Sequence, residues 1–189
     1  MALENRPALD FMASRRSTPP ALLRAPGPDA ATLDQILTLA MRVPDHGKLE
    51  PWRLIVLGDA ARARIGAAAE AASLAEGNPQ EKAAKNRVSY AAPTVIAVVF
   101  SPVENAKIPE WEQFLSAGAV CLSLVNAAMA SGFGASWLTG IAAGEDFART
   151  HFGLSGTERI AGVVHIGTRA DAPPDRPRPD KGAKVTRLD

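Results

Sequence analysis

Residues able to do chemistry are few in this chain and lie far apart. Arg15-Arg16-Ser17 sets two guanidinium groups beside a hydroxyl, a combination that suits a phosphate. Near the other end, Arg176-Pro177-Arg178 offers two more arginines two residues apart. On an extended chain both side chains point to one side. Taken alone, each pair is more often a solvated surface feature than a site, because exposed ion pairs stabilise little. An anion site is therefore one reading of two. His46, in the loop Pro44-Asp45-His46-Gly47-Lys48-Leu49-Glu50-Pro51, reads by itself as a loop histidine satisfied by a backbone bond.

Several chemistries fall away. The chain has no G-x-S-x-G elbow and no P-loop. His46, His151 and His165 lack the spacing of metal ligands, so no metal is expected. The single Cys121 stands between Val120 and Leu122 and reads as a small packed apolar group rather than a nucleophile. One cysteine also excludes an intramolecular disulfide and a multi-cysteine zinc site, in keeping with a reducing cytoplasm. Gly132 and Gly134 are half of a dinucleotide fingerprint and follow a helix rather than a strand, so they are weak evidence for a Rossmann turn.

The elements that must position these residues are legible in outline. A helix is expected from about Ala8 to Ser14, stopped by Thr18-Pro19-Pro20. Asp29 caps a second helix carrying Leu33, Ile36, Leu37 and Ala40, and Trp52–Leu57 forms a strand. Asp59 caps an alanine-rich helix to about Glu76, and Pro79 opens another that ends before Pro93. Thr94–Phe100 is a continuous β-branched run and reads as a central buried strand. A long helix from about Glu110 to Ser131 precedes a short strand around Ala135–Trp137, a helix over Glu145–Phe152 and a strand over Arg159–Ile166. The proline-rich segment 173–179 must lie as an extended strap over the surface or over a neighbour.

No repeat or second boundary interrupts residues 1–189, which are expected to form one α+β domain. With 47% apolar and 22% charged residues the composition is globular, and 21 basic against 20 acidic side chains give a formal charge of +1. That balance excludes the uniform basic field of a nucleic-acid binder. The opening Met1-Ala2-Leu3-Glu4-Asn5-Arg6-Pro7 lacks a secretory apolar core. The uncharged stretch Gln113–Gly144 is long enough to cross a bilayer, yet its serines, Asn126 and the Gly132-Phe133-Gly134 break argue for a buried helix and no membrane. A helix so apolar on nearly all sides is most easily covered if a second subunit takes one face.

The order of motifs resembles the nitroreductase family of FMN-dependent oxidoreductases, above all its small bacterial members. The resemblance runs over nearly the whole chain: S-R-R-S at Ser14–Ser17, M-R-V-P-D-H at Met41–His46, P-W-R at Pro51–Arg53, P-E-W-E-Q-F-L-S-A-G at Pro109–Gly118, G-F-G-A-S-W-L-T-G at Gly132–Gly140, V-V-H-I-G-T at Val163–Thr168 and R-P-R-P-D at Arg176–Asp180. It implies a mixed or antiparallel sheet flanked by helices and an intertwined cytoplasmic homodimer with FMN in the interface. It further implies NAD(P)H as the reductant of nitroaromatics, quinones or related electrophiles by ping-pong hydride transfer. By the same resemblance Arg15 and Ser17 hold the phosphate or ribityl chain, and Arg16 lies near the flavin ring. Arg42 and His46 contact the cofactor, and Trp137-Leu138-Thr139-Gly140 passes over the isoalloxazine. Arg176 and Arg178 reach the phosphate, Arg178 being the preferred contact. No catalytic acid is required. Three departures stand out: Glu50 where many relatives carry Gln, Leu138-Thr139 where the nearest ones carry Arg-Ser, and Pro19-Pro20 after the arginines. An offshoot using the flavin for desaturation or dehalogenation, a non-catalytic flavin binder, and a module without cofactor are the competing expectations.

Overall fold

The run Thr94–Phe100 is apolar throughout because both of its faces are covered. In the computed structural model, which describes residues 4–104, 107–171 and 173–188, every residue of this strand is buried. Among the described residues are six helices and five strands. The helices are α1 (Arg6–Ser14), α2 (Ala30–Ala40), α3 (Asp59–Ala75), α4 (Gln80–Ser89), α5 (Glu110–Ala130) and α6 (Glu145–Phe152). The strands are β1 (Leu23–Arg24), β2 (Trp52–Val56), β3 (Thr94–Phe100), β4 (Gly134–Leu138) and β5 (Arg159–Arg169). Met1–Leu3 of the opening segment lie outside the described residues.

Every pairing among these strands is antiparallel, which settles the mixed-or-antiparallel expectation. β5 is the hub: it pairs with β3 along one edge and β4 along the other, while β1 adds at its far end. β2 extends the sheet beyond β3. The register shifts between Val98, opposite Gly162, and Val99, opposite Ile160, so Ala161 is the extra residue of a bulge. Even-numbered Ile96, Val98 and Phe100 face a core built with α2 and α5. Odd-numbered Val95, Ala97 and Val99 face a second core with Ile65 and Ala69 of α3 and Ala148 and Phe152 of α6. Each large aliphatic so buried contributes about 1.5–3 kcal/mol.

Local chemistry sets the boundaries. Asn5 caps α1 by accepting the Ala8 N–H, which moves the start ahead of Ala8, to Arg6. Asp29 caps α2 as expected, accepting the Thr32 N–H at 2.8 Å. Asp59 is not the cap of α3: Gly58 holds that position, and Asp59 lies in the first turn, paired with Arg62 at 2.6 Å. Gly132 ends α5, its N–H bonding Met129 O while the Phe133 N–H returns to Ala128 O, so its glycine serves helix termination and not a dinucleotide turn. The β5 strand runs three residues further than its apolar pattern, because Thr168 and Arg169 pair with β1.

One ionic clamp fastens the sheet edge. Arg53 of β2 forks onto Glu158 at 2.6 and 2.9 Å, and the Ser101 hydroxyl and Ser155 N–H donate to the same carboxylate at 2.7 and 3.0 Å. The Arg53 hydrogen bonds, chiefly, hold the Glu158 pKa at about 2 against an ordinary 4.5. A carboxyl more acidic when folded stabilises above its unfolded pKa and loses that contribution as the pH falls. Stability from this clamp is therefore full above about pH 5 and drains away toward pH 2. Urea midpoints measured from pH 7 down to pH 3 are expected to fall less steeply for Glu158→Gln than for the parent, from a lower starting point; parallel slopes would refute the assignment.

Candidate functional site

The two arginine groups, at opposite ends of the sequence, meet in space. The Arg16 Nε–H donates to Pro174 O at 3.4 Å and lies 3.8 Å from the Asp175 carboxylate, while the Arg178 guanidinium donates to Ala13 O at the end of α1. The proline-rich strap thus lies over the surface of its own chain, beside the exit of α1. Arg15 is half-buried there, and Ser17 is exposed. Among the described residues the guanidinium groups of Arg15 and Arg176 and the Ser17 hydroxyl have no partner. Donors left without acceptors favour an anion at this point.

From this cluster the backbone leads straight to the second group. The Thr18 N–H donates to Ala135 O at 2.9 Å, binding the α1 exit to the start of β4. At the other end of β4, Trp137, Leu138, Thr139 and Gly140 are all exposed, and the chain turns out of the sheet with Gly140 at φ +53°. Trp137 is seated by glycine: a Cβ on Gly162 of β5 would stand 1.9 Å from the indole Nε1 and 2.9 Å from Cys121 Sγ. Gly118 of α5 approaches the far edge of the same ring, where a Cβ would lie 3.8 Å from Cη2. The indole fits only because β5 carries no side chain beneath it.

A third group forms at the start of α5. His46 Nδ1 lies 2.6 Å from Glu112 Oε1. Its loop is tightly held: the Glu50 N–H donates to Asp45 Oδ2 at 2.8 Å, and the Ser116 hydroxyl donates to Pro44 O at 2.9 Å while accepting the Trp52 indole N–H at 3.2 Å. Gly47, Lys48 and Glu50 all adopt positive φ, and at Gly47 a Cβ would strike Ile108 Cδ1 at 2.5 Å. Two non-glycine residues in that region store strain, which the pinned loop sustains. The Glu50 carboxylate itself has no side-chain partner among the described residues, and neither has the exposed Arg42 guanidinium.

The remaining titratable groups are structural. Burial pushes the Cys121 thiol up to about 12, consistent with a packed apolar group. His165 is buried, its ring edge-on to Tyr90, and burial lowers its pKa to about 4. Burial and the charge of Arg64 lower His151. Among the described residues no cluster of His, Cys, Asp and Glu could hold a metal.

Within one chain the strap meets the α1 exit through Arg16 and Arg178, on the segment that also carries Arg15 and Ser17, and that segment is joined to β4, whereas His46 stands apart. Trp137 sits against Gly118, and Glu112 lies six residues earlier, about 9 Å along the helix axis. Three participants escape the sequence reading: Glu112, Gly118 and Gly162. A glycine inside the strand pattern Ile160-Ala161-Gly162-Val163-Val164 is the signal that marks a close approach. For Glu112 no comparable signal exists, because its partner is 66 residues away.

The family model described as "Nitroreductase family" matches residues 12–168. The Escherichia coli K12 protein provisionally named NAD(P)H nitroreductase YdjA is 35% identical over 162 residues, covering 85% of this chain and 87% of its own. Among solved structures, a nitroreductase-like family protein from Bacillus cereus superposes with a TM-score of 0.79 at 21% identity, covering 100% of this chain and 98% of that one. A Bacteroides fragilis nitroreductase with bound FMN gives 0.71 at 18% identity, covering 96% and 98%.

Proposed function

Because the chain belongs to the nitroreductase family, we propose that it is an FMN-dependent oxidoreductase that uses NAD(P)H to reduce nitroaromatics, quinones or related electrophiles in a ping-pong cycle. The observation that carries this reading is the return of the strap onto the α1 exit, which gathers Arg15, Arg16, Ser17 and Arg178 around one point with unspent donors. That donor set fits an anionic phosphate tail. The exposed segment 137–140, with the seated indole of Trp137, offers the flat surface and backbone N–H groups that a ring system needs.

When bound, the flavin supplies the hydride chemistry, accepting from the nicotinamide and donating to the acceptor. The protein's part is positional. Arg15 and Ser17, with Arg178 and Arg176 from the strap, hold the phosphate end. Arg16 sets positive charge toward the ring, where charge accumulates on reduction. Thr139 and Gly140 would offer backbone N–H groups to the bound ring. Arg42 and His46 reach the same cofactor from the other group of residues. Leu138 is neutral, so the acceptor side meets one positive charge fewer than an Arg would give.

The second half of the site comes from a second copy of the chain. Helix α5 is long and apolar enough to span a bilayer, but half of that window is buried inside the protein. It is not covered on all sides: Trp111, Leu115 and Leu122 are 66%, 62% and 49% exposed along one stripe, with Phe114 beside them. A contiguous apolar stripe of this kind marks an interface. We read it as the contact of a cytoplasmic homodimer that brings the His46 loop of one protomer toward the strap of the other.

An absorption spectrum joined to sedimentation tests the whole reading. Purified protein is expected to be yellow, dimeric and bleached anaerobically by NADPH or NADH. Colourless protein after incubation with FMN, or a yellow protein inert to both nicotinamides, would overturn it.

A further inference from the structure

We propose that His46 donates the proton that accompanies acceptor reduction and that Glu112 positions it, an inference that rests on the function proposed above. An acceptor such as a quinone takes a hydride, which NAD(P)H provides through the flavin, and one additional proton. A positioned side chain can deliver that proton. His165 is buried and His151 is disfavoured as a cation by burial and by Arg64, so neither suits the task. His46 differs in geometry. One ring nitrogen is engaged by the Glu112 carboxylate at 2.6 Å, and Nε2 has no partner among the described residues.

A carboxylate on Nδ1 keeps that proton in place and makes Nε2 the working atom. Glu112 lies in the first turn of α5, where the helix dipole favours its anion. The loop that carries the ring is pinned through Asp45, Ser116 and Trp52 and is strained at Lys48 and Glu50, so its backbone is fixed, and the Glu112 contact orients the exposed ring. Both side chains line a cavity of about 350 Å³ with Ser116 and Gln113 as polar members and Ile108 and Leu115 as apolar ones, Leu115 belonging also to the stripe read above as the dimer contact. Such a cavity, mostly apolar with a few convergent polar groups, suits a small aromatic acceptor.

The step balances without another reactant. The acceptor gains two electrons and one proton as hydride, and the Nε2–H of the imidazolium passes its proton to the acceptor oxygen. His46 is left neutral, its remaining proton on Nδ1 facing Glu112, and solvent restores the proton it lost. For p-benzoquinone the product is the hydroquinone.

The test uses the full chain loaded with FMN and pre-reduced by NADPH, mixed rapidly with p-benzoquinone or with ferricyanide, which takes electrons and no proton. In His46→Gln the benzoquinone step is expected to slow by about 10²- to 10⁴-fold and to lose its solvent deuterium isotope effect. The ferricyanide step should fall far less. Independently of turnover, ¹⁵N NMR of the ring should show neutral His46 as the Nδ1–H tautomer in the parent and as Nε2–H in Glu112→Ala. An unchanged benzoquinone rate, an equal loss with ferricyanide, or the same tautomer in both proteins would overturn the dyad. Parent protein that binds no FMN would instead bring down the function on which the dyad rests.

Discussion

Arg15→Ala is expected to weaken FMN binding by about 1.5–3 kcal/mol, the range for a hydrogen bond to a charged group, which raises Kd roughly 10- to 150-fold. Unspent donors set Arg15 apart from its neighbours. Arg16 and Arg178 already contact the strap or the α1 carbonyl, so part of their hydrogen-bonding capacity is used within the chain. Arg15 has no such partner among the described residues, and its half-buried guanidinium is screened less than a surface one. Because no contact among the described residues is broken, the substitution should leave folding stability within about 0.5 kcal/mol. Fluorescence titration of flavin-stripped protein, alongside urea unfolding, separates the two. Equal FMN affinity in parent and variant would show that the phosphate lies elsewhere.

Gly162→Ala should act in the opposite way, on the fold first and on the site through it. The added methyl would occupy space held by the Trp137 indole, 1.9 Å from Nε1, and would press on Cys121 Sγ at 2.9 Å. Overpacking of this kind costs about 1–3 kcal/mol and occasionally more. The thiol is in the core and cannot retreat, whereas the indole is 40% exposed and can swing outward. The cost therefore falls on the position of Trp137, and the near-UV circular dichroism of the indole should change with the unfolding midpoint. Removing the ring relieves most of the conflict, so Trp137→Ala and Gly162→Ala should combine to less than the sum of their separate costs. Strict additivity in that cycle would mean that the glycine is not seating the indole.

How much of this is legible in the sequence depends on the distance over which each signal acts. Helix α6 and strand β3 can be read to the residue, and α2 to its cap, because Asp29, Pro93 and the β-branched run act locally. The start of α1 is misjudged when Asn5 is not weighed as a cap, and Asp59 reads as one where a glycine serves. The arginine pairs are visible as residue types. Their meeting is not, because Arg178 reaches a carbonyl 165 positions away, and no periodicity reports such a contact. The expectation that a second subunit takes one face of α5 does not say which face, for an instructive reason. Composition counts apolar residues, and only the fold shows that Trp111, Leu115 and Leu122 are the ones left bare.

The hub position of β5 has a consequence for synthesis. Three strands pair with Arg159–Arg169, and that segment is translated about 60 residues after Thr94–Phe100. At about 5–20 residues per second, the nascent chain spends several seconds with Thr94–Phe100 already made and its principal mate still untranslated. An apolar ribbon of this composition is prone to pair with copies of itself, so slow decoding of the stretch between β3 and β5 should cost soluble yield before it costs anything else.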